Sequence, residues 1–292
     1  MASTTRSAVS AAGRTIEASG TRDRRLLRTF LEQDRVRAGY AICDLDPAEF
    51  PRTRWGVARE GGQPISVVLE YLGLTPQPLF VMGDSAGIAQ ILRDVVRPRL
   101  VYLASDHSHV AEIGKIYRID PGPPMIRMVA TRATFRPHQE GTAMRLLPVE
   151  ITDLNRLYGL GFTSWLPSDS IASGVYYGVR VNGRLVAAAG THVISREARL
   201  AAVGNVMTAP DFRGKGFAKL ATSAVTSELL GYCDEVVLNV RSDNPPAIAA
   251  YTAIGYKEHN RFEERLAHRR GAPWDSIVGQ LRQLIQARKE LS

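Results

Sequence analysis

The chain of 292 residues is longer than one typical domain and too short for three, so its length predicts two domains. Hydrophobic residues make up 45% of the sequence and charged residues 23%, a composition typical of a folded protein with a sizeable core. No stretch approaches the roughly 18 uninterrupted apolar residues needed to cross a bilayer, and the first twenty residues lack the apolar segment of a secretory signal. We therefore expect no membrane association and a cytoplasmic location.

The formal net charge of +8 favours anionic partners, among them phosphorylated coenzymes and nucleic acid. No base-reading motif accompanies the charge, so nucleic acid is not the expected partner. The two cysteines, Cys43 and Cys233, lie far apart and outside any CxxC arrangement. The sequence therefore predicts neither a disulfide framework nor a metal site.

The first half of the chain alternates strand and helix patterns behind a polar start. Residues 1–20 are rich in Ser, Thr, Ala and Arg, which favours a disordered tail, with an organellar transit peptide as the alternative. The predicted elements are a helix at 23–33 followed by a loop, a hairpin of strands 54–59 and 65–72, a strand at 79–82, a helix at 85–96, a strand at 100–104, a helix at 107–113 and strands at 115–119 and 126–131.

The second half repeats that order after a predicted linker at 136–141. Its predicted elements are a strand at 143–147, a helix at 150–159, a hairpin of strands 175–181 and 185–193 across Asn182-Gly183, a strand at 200–208, a helix at 216–230, a strand at 235–240, a helix at 245–254 and one or two strands over 256–267. The shared order predicts tandem domains at 21–135 and 142–268. Residues 269–292 are predicted to form a tail with an amphipathic helix that packs on a domain or a second subunit, and we expect a monomer or a homodimer.

The chemistry concentrates where the strand at 200–208 leads into the next helix. The junction reads Arg213-Gly214-Lys215-Gly216-Phe217-Ala218. The first turn of a helix presents unpaired N–H groups and the positive end of the helix dipole, which together attract an anion. Glycines allow the backbone to approach that anion closely, and Arg213 and Lys215 add positive charge. The spacing matches neither a P-loop nor a dinucleotide fingerprint.

A second motif lies downstream of the next strand. Arg-x-x-Gly-x-Ala at 213–218 is followed by Asn-x-x-Ala-x-x-x-Tyr-x-x-x-Gly-Tyr at 244–256. Together the two motifs resemble the GNAT superfamily of acetyl-CoA-dependent N-acetyltransferases. The resemblance covers roughly 142–267. It implies an α/β (α+β) fold, a mixed sheet with splayed central parallel strands flanked by helices, present twice in tandem. The N-terminal half resembles a degenerate copy that should not bind the coenzyme.

The resemblance also implies the site. Acetyl-CoA, as cosubstrate, would lie in the gap between the strand at 204–208 and the strand at 236–240, with no metal. Tyr251 would face the sulfur, and Asn244 would contact the pantetheine arm or its neighbouring turn. The remaining implied coenzyme contacts are the pantetheine-pairing backbone of Val206, Met207 and Thr208 and the pyrophosphate-binding backbone of Arg213, Gly214, Lys215, Gly216, Phe217 and Ala218.

The chemistry of acetyl transfer assigns roles to a few side chains. The acceptor must present a neutral amine, and the leaving thiolate needs a proton, for which the phenol of Tyr251 is suited. The strand at 200–208 carries no Asp, Glu or His, so the base is sought elsewhere, at His192 or Glu197, while Asn239 faces the cleft without being a base. Cys233 is an unsuitable nucleophile.

We therefore expect an N-acetyltransferase that acts on an amine-bearing small molecule, amino acid or protein amino group by direct attack in a ternary complex. The alternative is a non-catalytic acyl-CoA sensor or interaction protein, and transfer to an amine on RNA is a lesser possibility. The acceptor pocket is expected to include loops such as 162–173.

Overall fold

The computed structural model describes residues 6–9, 14–138, 140–159 and 166–271. The predicted terminal helix at 274–291 and the first part of the predicted acceptor loop, 162–165, lie outside the described residues. None of the helices in the described ranges is long and apolar enough to cross a membrane.

The secondary structure alternates throughout the described chain. The strands are β1 (Arg6–Val9), β2 (Thr15–Thr21), β3 (Thr53–Glu60), β4 (Gln63–Tyr71), β5 (Gln77–Gly83), β6 (Leu100–Ser105), β7 (Tyr117–Ile119), β8 (Met125–Thr131), β9 (Met144–Arg145), β10 (Tyr177–Val181), β11 (Arg184–Ser195), β12 (Leu200–Thr208), β13 (Glu235–Arg241) and β14 (Lys257–Arg269). The α-helices are α1 (Arg24–Leu31), α2 (Gly39–Cys43), α3 (Ser85–Asp94), α4 (Val110–Gly114), α5 (Ile151–Tyr158), α6 (Asp169–Ser173), α7 (Phe217–Leu230) and α8 (Pro245–Ala253).

Each strand and helix predicted within the described ranges has a counterpart, with ends that differ by a few residues. Two differences matter. Residues 15–20, predicted to belong to a disordered tail, form β2, which pairs with β3 and buries Ile16 and Ala18 on one face. Residues 39–43, predicted to be a loop, form α2, whose buried side chains are held by packing that local propensity does not reveal.

The first compact unit consists of residues 1–22, 52–122 and 263–292. Its strands follow the order β1-β2-β3-β4-β5-β6-β14, with β7 also paired to β14. The pair β5–β6 is parallel and its other neighbours are antiparallel. Its core packs α3 against this sheet, with Ile88, Ile91 and Leu92 fully buried.

The second compact unit consists of residues 23–51 and 123–262. Its strands follow the order β14-β8-β13-β12-β11-β10-β9, in which only β12–β13 is parallel. The helices α1 and α2 belong to this unit although they precede β3 in the chain. Residues 23–51, 123–135 and the predicted linker at 136–141 therefore group with the residues predicted to form the C-terminal domain.

Two core clusters cover the two faces of the second sheet. Ala187 and Ala189 of β11 belong to the cluster that includes Leu229 of α7, and the intervening Ala188 belongs to the cluster that includes Leu154 of α5. Successive side chains of a strand point to opposite faces, so helices cover both faces of this sheet. The hairpin predicted at Asn182-Gly183 is confirmed: both residues have positive φ, 50° and 78°, and Val181 pairs with Arg184. Both units thus contain a mixed sheet flanked by helices, which confirms the predicted fold class.

Candidate active site

The parallel pair of strands β12 and β13 separates part-way along its length. Residues 200–203 of β12 pair with residues 235–238 of β13, and the pairing ends there. Residues 204–208 continue as a strand on β11 alone, as far as Thr208 opposite Ala187. Over this stretch no described strand pairs with the other edge of β12. A gap therefore opens between β12 and β13, and one backbone edge in it has N–H and C=O groups available to a ligand.

Two β-bulges lie in the ladder between β11 and β12 at the start of this gap. Asn205 and Val206 together face the single residue Ala189, and Asn205 has a φ of 51°, which asparagine tolerates better than most residues. On the other strand, His192 is an extra residue opposite the adjacent pair 202–203. Bulges bend a strand locally and redirect its side chains. Here they place His192 and Asn205 beside the point where the sheet opens.

The turn before α7 leaves a row of backbone amides exposed. Gly216 is the N-cap of α7, with a φ of 79° and no side-chain cap, and Gly214 has a φ of 75°. A Cβ added to either glycine would meet no atom within 4 Å. The N–H groups of residues 214–218 have no hydrogen-bond partner within the described ranges. The turn is open, and its amides and helix dipole suit a bound diphosphate.

Basic and polar side chains surround this turn. Arg213 is exposed and its Nε donates to the carbonyl of Thr208 over 3.4 Å. The Nζ of Lys215 lies 5.1 Å above the ring of Phe212. The hydroxyl of Thr208 is buried and has no partner among the described residues. A buried hydroxyl without a partner is costly, so this end of β12 is suited to a ligand that supplies polar atoms.

The helix α8 contributes Asn244 and Tyr251. The Oδ1 of Asn244 accepts from the N–H of Ala247 over 3.3 Å and caps the helix. Tyr251 is 7% exposed, and its ring lies 6.2 Å from that of Tyr256. Burial raises the pKa of Tyr251 to about 12. The phenol therefore stays protonated at neutral pH, the state in which it can donate a proton.

His192 lies at the centre of a hydrogen-bond network. The hydroxyl of Tyr40 is 2.9 Å from its Nδ1, and the Oδ1 of Asn205 is 3.2 Å from its Nε2. The ring also packs on Gly204, where any side chain would overlap it. Part of the imidazole is open to solvent, but the surrounding protein excludes water from much of the ring, and this desolvation lowers the pKa of His192 below its usual value. The imidazole is therefore neutral at pH 7 and able to accept a proton.

A buried arginine joins the network to β13. The guanidinium of Arg127 is 5.0 Å from the ring centroid of Tyr40, and its Nε donates to the Oδ1 of Asn239 over 2.6 Å. Its Nη1 donates to the carbonyl of Val36 over 3.1 Å. Asn239, expected to face the cleft, follows Leu238, the last residue of β13 that pairs with β12, and is held by this arginine.

Tyr40, Arg127 and Asn205 did not emerge from the sequence as site residues. Two signals were available. Gly-Asn within a β-rich run is typical of a bulge, and one arginine in the apolar strand β8 indicates a buried partner. No local signal marks Tyr40, because its neighbours in the network are distant in the sequence.

Two other candidate groups lie apart from the gap. Glu197 belongs to the turn between β11 and β12, at the end of β12 opposite to the gap, and forms ion pairs with Arg24 at 3.3 Å and Arg28 at 3.0 Å. Cys233 is buried, and burial raises the pKa of its thiol to about 11. Glu197 is therefore not placed to deprotonate an amine at the point where β12 and β13 part, and Cys233 is not suited to accept an acyl group there.

In the N-terminal unit two parallel strands also part, but side chains cap the start of the helix that follows. Residues 77–80 of β5 pair in parallel with residues 101–104 of β6, and the pairing then ends. At the start of α3 the carboxylate of Asp84 accepts from the N–H groups of Ala86 and Gly87, at 2.9 Å and 3.0 Å. Arg14 donates to the same carboxylate over 3.1 Å. The side chain of Asp84 thus occupies the first amides of α3, whereas the corresponding amides of α7 remain open.

The comparisons with known proteins agree with this geometry. The model of the acetyltransferase (GNAT) family matches residues 149–256. A search of curated protein sequences finds no match. Among solved structures, a Drosophila protein is 14% identical with a TM-score of 0.65, covering 84% of this chain and 94% of its own.

Two further solved structures cover both halves of the chain. A tandem GNAT protein from the clavulanic acid biosynthesis pathway is 13% identical with a TM-score of 0.55, covering 88% of this chain and 99% of its own. A GCN5-related N-acetyltransferase from Sphaerobacter thermophilus is 16% identical with a TM-score of 0.56, covering 85% and 92%. Identities this low show the fold alone. The chain therefore carries, at residues 149–256, an acetyltransferase domain of the GNAT family, and its N-terminal half has the same kind of fold.

Proposed function

We propose that this protein transfers the acetyl group of acetyl-CoA to a primary amine by direct attack in a ternary complex. The observation that carries the proposal is the separation of β12 from β13 beside the uncapped start of α7. An unpaired strand edge suits the amide-containing pantetheine arm, and open helix amides suit a diphosphate. The two features adjoin along the chain, as one extended coenzyme requires.

The coenzyme contacts follow from these two features. Backbone groups of Val206, Met207 and Thr208 would pair with the pantetheine arm along the open edge of β12. The N–H groups of residues 214–218 would bind the pyrophosphate, with Arg213 and Lys215 adding charge. Asn244 would contact the pantetheine arm through its amide nitrogen, since its Oδ1 already caps α8.

The chemistry then needs a base, an acid and a stabilised oxyanion. His192, neutral at pH 7, is the proposed base for the proton that the attacking amine loses. Tyr251, protonated up to about pH 12, is the proposed acid for the departing thiolate. The bulge at Asn205 and Val206 interrupts the ladder, so a backbone N–H there can donate to the developing oxyanion.

The second candidate is an acyl-CoA sensor without turnover. It is favoured by one observation: β12 carries no Asp, Glu or His along its whole length. Both functions need the same coenzyme site, and only the enzyme needs Tyr251 and His192.

The deciding experiment is to incubate the purified protein with acetyl-CoA and a panel of small amines, amino acids and peptides, with mass spectrometry of the products. We expect a gain of about 42 daltons on at least one amine, the mass of an acetyl group replacing hydrogen, with free thiol released in equal amount. Tyr251→Phe should lower kcat by about 100-fold or more while the Kd for acetyl-CoA stays nearly unchanged. Coenzyme binding without any acetylated product would favour the sensor.

The coenzyme site has its own test. Arg213→Glu should abolish acetyl-CoA binding in calorimetry, because it places negative charge beside the proposed diphosphate. Arg25→Glu makes the same change of charge at another exposed position and should bind normally. Equal affinity in the two variants would contradict the site at α7.

A further inference from the structure

Both ring nitrogens of His192 already have protein partners. Tyr40 lies at Nδ1 and Asn205 at Nε2, each within hydrogen-bond distance. An amine in the gap between β12 and β13 reaches neither nitrogen while these two bonds are in place. A proton that ends on His192 must therefore pass through one of the two neighbours.

The direction of each hydrogen bond in the network is set by a backbone carbonyl. The carbonyl of Thr191 can only accept, so Tyr176 donates its O–H to it over 3.1 Å. The oxygen of Tyr176 then accepts from the Nδ2 of Asn205 over 3.1 Å, which turns the Oδ1 of Asn205 toward His192. The Nε2 of His192 must carry the hydrogen, and Nδ1 holds the lone pair that accepts from Tyr40.

This assignment leaves one of the two neighbours suited to relay a proton. Asn205 is an amide that neither gains nor loses a proton in this range of pH, whereas a phenol can accept one proton as it donates another. The O–H of Tyr40 already points at the lone pair of His192. The proton path therefore runs through Tyr40.

Tyr40 also lies where the two strands part. The imidazole against which it rests packs on Gly204, the first residue of β12 beyond the paired segment. The ring of Tyr40 contacts Arg127. Arg127 in turn holds Asn239, the first residue of β13 beyond the segment paired with β12. The hydroxyl is thus placed at the junction of both strands.

We propose that Tyr40 is a catalytic residue that contacts the acceptor amine and passes its proton to Nδ1 of His192. The inference rests on the proposed acetyl transfer. The acceptor attacks as a neutral amine, and its nitrogen loses one N–H proton to the oxygen of Tyr40 while the phenolic proton moves to Nδ1 of His192. The nitrogen lone pair forms the C–N bond, the C–S bond breaks, and the thiolate leaves with the electron pair and takes the proton of Tyr251. His192 finally releases its proton to solvent, and Tyr251 regains one from solvent.

The groups that face the relay come from several elements. Arg127 from β8 provides a positive charge beside Tyr40, and the hydroxyl of Tyr158 from α5 donates to the carbonyl of Asn205 over 2.6 Å. Tyr176, next to β10, accepts a hydrogen bond from the side-chain amide of Asn205. Burial by the surrounding protein opposes protonation of His192, so the relay works with a weakly basic imidazole.

The test compares Tyr40→Phe with the wild type. We expect kcat/KM to fall by about 100-fold or more, with an unchanged Kd for acetyl-CoA in calorimetry. Tyr102→Phe, a matched change at a half-exposed tyrosine of β6, should retain full activity. The wild-type plot of log kcat/KM against pH should have a slope of two below the pKa of His192, for base and amine together, and one above it. Tyr40→Phe should have a slope of one throughout.

A second variant keeps the proposal testable should the first fold poorly. Asn205→Asp places a carboxylate beside the Nε2–H of His192 and should move the break in the profile to higher pH by about one to three units. If Tyr40→Phe kept the wild-type pH dependence of log kcat/KM, or the wild-type kcat/KM, the relay through Tyr40 would be overturned while the proposed acetyl transfer would stand. A wild-type protein that binds acetyl-CoA and acetylates no amine would overturn the proposed function, and the relay with it.

Discussion

Replacing Gly204 with alanine tests whether the position of His192 matters for turnover. The added Cβ would lie 2.5 Å from Cδ2 of the imidazole and closer still to Nε2 and Cε1. Atoms of this kind pack at about 3.5 Å, so the ring has to move by at least about 1 Å. A shift of about 1 Å away from either partner would stretch its bond, 2.9 Å to Tyr40 or 3.2 Å to Asn205, beyond the usual limit of about 3.5 Å.

The expected cost follows from the role proposed for His192. A positioned base contributes about 10² to 10⁴ in rate, so we expect kcat/KM of Gly204→Ala to fall by at least about 100-fold, or about 2.7 kcal/mol. The assay is release of free thiol, with acetyl-CoA affinity measured by calorimetry and expected to be retained. Gly114→Ala, where a Cβ meets nothing within 4 Å, is the matched control. Wild-type turnover in Gly204→Ala would refute the role of His192.

Three further changes test other parts of the chain. Gly216→Ala forces a side chain into the left-handed region, which costs about 1–2 kcal/mol, and should weaken acetyl-CoA binding at least about tenfold. The control Gly62→Ala, at a φ of 81°, should lose similar stability without affecting the Kd for acetyl-CoA. Asp84→Ala removes the N-cap of α3 and should lower the free energy of unfolding by about 0.5–2 kcal/mol at pH 7 without changing the Kd. The pKa of Asp84 is lowered in the folded protein, so the stabilisation by its carboxylate is present above the unfolded pKa and is lost as pH falls below about 4. A free energy of unfolding that stays constant below about pH 4 in a series of denaturation curves would contradict this. Cys233→Ala should keep its turnover, and acetylation of Cys233 would contradict direct attack.

Much of the fold followed from local patterns. The strand β12 was predicted with its observed ends, and the turn at Asn182-Gly183 was predicted because both residues accept positive φ. The open turn before α7 was predicted for a similar reason, since glycines at 214 and 216 precede a helical pattern. The short helix α2 was missed, because a five-residue helix with a glycine start is held by packing and not by its own propensity.

The sequence by itself determined the kinds of elements, their order in both halves and the position of the open glycine turn before α7, because periodicity, glycine and helix starts act over a few neighbouring residues. Tertiary structure alone decided which strands part, where the bulges fall and that Tyr40 meets His192. Ladder register and side-chain packing depend on residues distant along the chain, so no local pattern specifies them. The same reason explains why residues 23–51 and 123–135 group with the C-terminal half in space while preceding it in sequence.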